Sequence, residues 1–64
     1  MVPAAKTKAL RLAADILGGP GRLRQHLRAP SAEVAAWLAG SADPPTRMLL
    51  RAVEVILDEL DRRG

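Results

Sequence analysis

Arginine side chains in the first half of this chain have the type and spacing to hold an anion. Arg22, Arg24 and Arg28 follow one another closely, and Ser31 comes shortly after them. A guanidinium group presents paired N–H donors that match phosphate oxygens. A serine hydroxyl at a helix N-terminus can donate to the same group. The chemistry that these residues indicate is phosphate binding.

The distribution of charge also indicates an anionic partner. The net charge is +3 and the isoelectric point is about 10.7. Six lysines and arginines lie from Lys6 to Arg28 with one acid among them, whereas four acids and no base lie from Glu54 to Asp61. A basic half of this kind favours nucleic acid as a partner. The alternative is that these basic residues only occupy solvent-exposed helix faces. We expect this alternative for Lys6, Lys8 and Arg11.

The residues that resemble catalytic groups lack the partners that catalysis needs. Asp58, Glu59 and Asp61 could pass for paired carboxylates, but arginines follow them at the end of a polar helix face. His26 is the one histidine and there is no cysteine, so neither a metal site nor a nucleophile with its base is expected. A domain this small has no room for a pocket of reasonable size. We therefore expect no enzyme, no metal, no cofactor and no small-molecule substrate.

The location expected from the sequence is the cytoplasm. No apolar run approaches the roughly 18 residues that a membrane span needs. The lysines near the N-terminus are not followed by an apolar stretch, because Arg11 and Asp15 interrupt it. A signal peptide and a membrane partner are therefore not expected.

Hydrophobic periodicity predicts an all-α fold, a small four-helix domain with a long C-terminal helix. No segment alternates with the period of a strand, and alanine, leucine, arginine and glutamate dominate. Residues 1–64 form a single domain, with a frayed N-terminus at residues 1–5. The helices are expected at Ala4–Leu17, Pro20–Leu27, Ser31–Ala39 and Pro44–Arg62.

The residues between these segments account for where the helices begin and end. Gly18 and Gly19 end the first helix, and Gly40 ends the third, because glycine accepts a left-handed conformation. Ser31 is expected to cap the third helix and Asp43 the fourth. The first helix carries the apolar stripe Leu10, Ala13, Ala14 and Leu17, with Ile16 beside it.

The second and third helices together have the form of a helix-turn-helix. Leu27 ends one short helix, Ala29 and Pro30 lie in the turn, and the next helix buries Val34 and Trp37. Two short helices joined by a tight turn can place a helix in the major groove of DNA. Trp37, at its spacing from Val34 and Leu38, is expected in the core rather than stacked on a base.

This order of residues resembles the small Cro/C1-type (XRE-like) helix-turn-helix proteins of bacteria, in particular the YdaS-like antitoxin and repressor group. The resemblance runs from about Ala9 to Leu57. Its residues are the two glycines before the second helix, the pair His26 and Leu27, and then Ser31, Val34, Trp37, Leu38, Gly40, Pro44 and Pro45. It implies that the helix Ser31–Ala39 enters the major groove.

The resemblance also implies which residues face DNA. Base edges would meet Ser31, Ala32, Ala35 and Ala36, but alanine can contact little beyond a thymine methyl. Glu33 could accept a hydrogen bond from cytosine and would repel phosphate. Phosphate contacts are expected from Arg22, Arg24, Arg28, Ser31 and Arg47.

Two departures from the family pattern affect the motif itself. Arg24 stands where the family usually has a small residue, because the recognition helix packs closely there. Arg28 stands where the turn usually has glycine. Since a left-handed arginine is uncommon, the turn is expected to be irregular or longer.

Two functional hypotheses remain open at this stage. The first is a small transcriptional regulator that binds duplex DNA mainly through phosphates, with low sequence specificity. The second is a degenerate helix-turn-helix that binds protein and not DNA. A homodimer is also considered, through the stripe Leu49, Val53, Ile56 and Leu60 of the fourth helix; in a monomer the same residues would close the bundle over Leu10, Leu17, Leu27 and Trp37.

Overall fold

Four helices joined by short loops make up the described part of the protein. In the computed structural model, which describes residues 5–64, they are α1 (Ala5–Leu17), α2 (Pro20–Leu27), α3 (Ser31–Ala39) and α4 (Thr46–Arg63). No strand occurs among these residues. The predicted all-α fold is therefore confirmed. The expected start of the first helix at Ala4, and most of the frayed segment, lie outside the described residues.

Backbone hydrogen bonds close the C-terminal ends of α1 and α3 as the glycines predict. The N–H groups of Gly18 and Gly19 both donate to the carbonyl oxygen of Ala14, at 3.0 and 2.7 Å. At the end of α3, Gly40 has φ 79° and donates to the carbonyl oxygen of Trp37 at 3.2 Å. These bonds satisfy carbonyl groups that have no partner within a helix.

The N-terminal ends of α3 and α4 differ from the expectation. Ser31 is not a cap but the first helical residue, since Pro30 has the extended backbone of the N-cap position (ψ 142°). Asp43 is not a cap either, and α4 begins at Thr46 rather than Pro44, because Pro45 is extended (ψ 147°). A proline pushes the residue before it away from helical geometry, so two consecutive prolines delay the helix. Neither helix has a side-chain cap within the described residues.

The hydrophobic core lies where the four helices meet. α1 packs most extensively against α4, and α3 packs on α1 and α2. The predicted stripe of α1 is buried at Leu10, Ala13 and Ala14, and Leu17 is half-buried against the core. The other core residues include Leu23, Leu27, Ala29, Val34 and Trp37. The prediction that Trp37 is a core residue is confirmed.

The packing face of α4 is not the predicted one. Ala52 and Val55 are the buried residues of this helix, with Met48 and Ile56 packed beside them. The stripe Leu49, Val53, Ile56 and Leu60 lies about a quarter turn away, as helical periodicity requires, and is half-buried or exposed. The small side chain of Ala52 lets α1 and α4 approach closely, which a stripe of large residues would prevent. Within residues 5–64, no helix is both long enough and apolar enough to cross a membrane.

Candidate nucleic-acid interface

The turn between α2 and α3 is short and regular, contrary to the expected irregular or longer turn. Arg28 takes the left-handed conformation (φ 54°, ψ 43°) that glycine would adopt more easily. Its N–H donates to the carbonyl oxygen of Gln25, and the N–H of Ala29 donates to that of Arg24, both at 3.3 Å. This pair of bonds is the Schellman motif. The side chain of Ala29, the next residue, is buried in the core, so the turn is anchored on the residue that follows Arg28.

A wide, open groove follows one side of α3, contrary to the expectation that a domain this small has no room for a pocket. Its volume is about 720 Å³, and it lies between the α2–α3 turn, α3 and the start of α4. Trp37, Met48 and Pro45 line it together with five of the candidate residues. Those candidates are Arg28, Ala32, Glu33, Ala36 and Arg47. The fold therefore brings together residues from both sides of the helix-turn-helix and from α4.

A smaller depression follows the other side of α3. Its volume is about 120 Å³, and Arg24, Ser31 and Ala35 line it together with the first residues of α2. Arg24 is half-buried at this edge, so its long side chain fits between α2 and α3. The exposed ridge of α3 therefore has Arg28 and Arg47 on one side and Arg24 on the other.

The charges around the large groove are mixed. Arg28 and Arg47 line it together with Glu33 and Asp43. Asp43 also forms an exposed ion pair with Lys6, 3.9 Å from Nζ to Oδ2. An exposed pair of this kind contributes little stability, but it partly cancels the negative charge of Asp43. Glu33 has no ion-pair partner among the described residues and is the main negative charge on the ridge.

Two of the three basic residues of α1 are engaged within the protein. Lys6 pairs with Asp43, and Arg11 donates from Nε to the carbonyl oxygen of Leu38 at 3.0 Å. Lys8 is exposed on the same helix. Their engagement favours the interpretation of these residues as part of the fold and its solvated face. Arg24, Arg28 and Arg47 are the basic side chains that line the depressions on either side of α3.

The remaining candidates lie elsewhere. Arg22 is exposed and lies beside the α1–α2 turn, where a Cβ on Gly18 would stand 3.8 Å from the Arg22 Cγ atom. His26 shares a shallow depression with Asp58 and Glu59 near the other end of the molecule. Among the described residues, no group of three or more histidine, cysteine, aspartate or glutamate side chains is placed to bind a metal ion.

Sequence reasoning missed part of the groove. Asp43, Pro45 and Met48 line it, whereas the sequence predicts Asp43 as a cap and the prolines as the start of a helix. The double proline was the available signal, because an extended Pro–Pro segment carries the chain across the end of α3 before α4 begins. The contact between Arg11 and Leu38 has no sequence signal, since it joins residues distant in the chain.

Comparison of the chain with known proteins leaves its family open. No protein-family model matches it, and neither a curated protein nor a solved structure does. The residues around α3 are therefore the basis for a proposed function.

Proposed function

We propose that this chain is a DNA-binding module that holds the phosphates of a duplex with arginines placed on both sides of α3. The observation that carries the proposal is the position of Arg28 and Arg47 on one side of the exposed ridge and Arg24 on the other. A helix that enters the major groove passes between two phosphate backbones. Basic side chains on both sides of it are therefore suitably placed to meet both backbones.

The ridge itself supports binding with low sequence specificity. Ser31, Ala32 and Ala35 are exposed and small, so they allow a close approach to the groove floor. They offer one hydroxyl group and methyl groups, which can contact a thymine methyl but cannot distinguish most base pairs. The Ser31 hydroxyl is not used as a cap and is placed to donate to a phosphate near the N-terminus of α3.

The biological role that fits this module is that of a small transcriptional regulator. The order of residues in the α2–α3 motif resembles Cro/C1-type regulators, and membership of that group is part of the proposal. The protein would act in the bacterial cytoplasm, where the chromosome is accessible. Weak, phosphate-driven binding of a regulator becomes selective when a second copy or a partner adds contacts.

The test is fluorescence anisotropy of a labelled random-sequence duplex, titrated with the protein at low and at physiological salt. If three arginines each displace one counterion, a fourfold rise in salt weakens binding by about 40-fold. Micromolar binding with that salt dependence supports the proposal. Absence of binding at low salt, where electrostatic attraction is strongest, refutes it.

A second candidate function is protein binding through the same groove. The observation that favours it is the apolar floor of Trp37, Met48 and Pro45 with Glu33 and Asp43 beside it, because acids at a DNA-facing surface oppose phosphate. The two candidate functions predict opposite effects of neutralising Glu33 on the affinity for the partner. A basic peptide or protein partner would lose affinity when Glu33 is neutralised, whereas a duplex would gain it.

A further inference from the structure

Leucine side chains remain exposed on the face formed by α1 and α4. Leu12 is 48% exposed, Leu50 and Leu57 are each 56% exposed, and Leu60 is 58% exposed. Single exposed leucines are ordinary on a protein surface. Four of them on two adjacent helices of a chain of 64 residues are a feature that needs an explanation.

These leucines belong to one continuous surface. Leu12 lies with Ile56 and Leu60 in a shallow depression of about 150 Å³ between α1 and α4. Val53 and Leu57 continue the surface along α4, since residues three or four apart are neighbours on a helix, and Leu50 extends it by a further turn. We call this surface the α1/α4 patch; it comprises Leu12, Leu50, Val53, Ile56, Leu57 and Leu60.

We propose that a second copy of this chain covers the α1/α4 patch. With its half-exposed leucines and the half-buried residues between them, the patch is on the order of 400 Å², within the range of the largest apolar patch on a monomeric protein, which is often functional. A standard interface takes about 800 Å² from each partner, so the patch supplies the apolar centre and the surrounding polar residues supply the rest.

The charges bordering the patch offer a copy of the same surface one pair of opposite charges. By helical spacing, Glu54 and Asp61 flank Leu50 and Leu57 on the α4 edge, and Lys8 and Asp15 flank Leu12 on the α1 edge. A two-fold axis running along the patch places the α4 edge of one copy over the α1 edge of the other. Glu54 then lies near Lys8, which is attractive, whereas Asp61 lies near Asp15, a repulsion at the exposed rim that salt screens.

The same border argues against a membrane as the occupant. Helices that lie on anionic membranes carry lysine and arginine next to their apolar face. Here Glu54 and Asp61 stand at one edge, and Glu59 at the other edge is paired with Arg63 at 3.4 Å. Acidic side chains at these positions repel anionic lipid.

The dimer is independent of the proposed DNA interface. The groove beside α3 is bordered by Pro45, Arg47 and Met48 at the start of α4, whereas the patch runs from Leu50 to Leu60 of α4 and includes Leu12 of α1, and none of its residues lines that groove. Covering the patch therefore leaves α3 exposed. Each copy would present one α3 ridge, so a dimer would carry two.

Sedimentation velocity over a concentration range from about 10 µM to about 1 mM tests the proposal. The wild-type mass should rise from 6.8 kDa towards twice that value. Leu57→Lys and Leu60→Lys should weaken the dimer at least about tenfold, because they place charge in the apolar centre. Leu12→Lys, on the other helix, should do the same. Each replaces a side chain that is about half exposed or more, and circular dichroism confirms that each variant is folded.

Ala39→Lys is the matched control, because Ala39 is exposed on α3 and lies outside the patch. It should dimerise like the wild type. A wild-type protein that stays at 6.8 kDa throughout the range overturns the proposal, and so does a dimer that the patch variants leave intact. A monomer that sediments with anionic phospholipid vesicles also overturns it and assigns the patch to a membrane. Titration of DNA with the same samples measures duplex binding separately, so a failure of the dimer proposal can be distinguished from a failure of the proposed function.

Discussion

The Nε atom of Arg11 donates a hydrogen bond to the carbonyl oxygen of Leu38 at 3.0 Å, which joins the middle of α1 to the last turn of α3. The last carbonyl groups of a helix have no partner within it. Gly40 and Ser41 satisfy two others at this end of α3. Arg11 therefore helps to fix the orientation of α3, the helix that the proposal places in the DNA groove.

Replacing Arg11 with alanine should lower the free energy of unfolding by about 1 kcal/mol, because the hydrogen bond is lost at an exposed position. Lys8→Ala is the matched control, since Lys8 is exposed on the same helix, and it should change stability by less than about 0.5 kcal/mol. Urea denaturation followed by circular dichroism measures both. Equal effects of the two variants would show that the contact with Leu38 does not stabilise α3.

Two glycines should respond in opposite directions to replacement by alanine. Gly21 lies within α2 and a Cβ there would meet nothing within 4 Å, so Gly21→Ala should stabilise the protein by about 0.5–1 kcal/mol. Gly40 has φ +79°, so Gly40→Ala should destabilise it by about 1–2 kcal/mol. Thermal unfolding measures both. A stable Gly40→Ala variant would mean that the end of α3 can adopt another conformation.

Replacing Arg28 with glycine should separate stability from DNA binding. Glycine relieves the left-handed strain at this position, so the free energy of unfolding should rise by about 0.5–1 kcal/mol. The lost guanidinium group should weaken duplex binding by about five- to tenfold at low salt and reduce the salt slope by about one. Denaturation and anisotropy are measured on the same preparation. A destabilised variant would indicate that the Arg28 side chain supports the turn itself.

Neutralising Glu33 should strengthen duplex binding. Glu33 is exposed and lines the groove beside α3, where it would lie near phosphate. Removing one like-charge repulsion at this range should raise affinity by about two- to fivefold. Glu54→Gln, on α4 and outside the groove, is the charge-matched control. A Glu33→Gln variant that binds DNA no better than this control would argue that α3 does not approach the duplex.

The sequence predicted the helices of the motif because their ends carry strong local signals. Pro20, Leu27 and Gly40 delimit α2 and α3 as expected, and Trp37 is in the core as its spacing indicated. Such features depend on neighbours in the chain. Arg28 is the exception. Its left-handed conformation goes with the hydrogen bonds of the turn and with the buried Ala29 beside it. The conformational preference of arginine alone includes neither of these.

Features that depend on tertiary packing were not predictable in the same way. The apolar residues of α4 cover more than half of the helix circumference, so periodicity alone could not identify Ala52 and Val55 as the face that packs on α1. The most regular apolar stripe, which is Leu49, Val53, Ile56 and Leu60, is instead half-buried or exposed. For the candidate interface, the sequence indicated arginines near α3 but not their division between its two sides. The position of Arg47 follows from where the Pro44–Pro45 segment directs α4, whereas those of Arg24 and Arg28 follow from how α2 and its turn pack on α3.

Duplex binding by two triple variants of equal charge separates the arrangement of arginines around α3 from the effect of net charge. Arg24, Arg28 and Arg47 are replaced by alanine in one, and Arg51, Arg62 and Arg63 in the other, so each takes the formal net charge from +3 to zero. The first variant should lose micromolar binding and about three units of salt slope, while the second should retain most of its affinity because its charges lie away from α3. Equal loss in both variants would show that net charge, and not the arrangement around α3, accounts for the binding. Undiminished binding by the first variant would contradict the proposed interface outright.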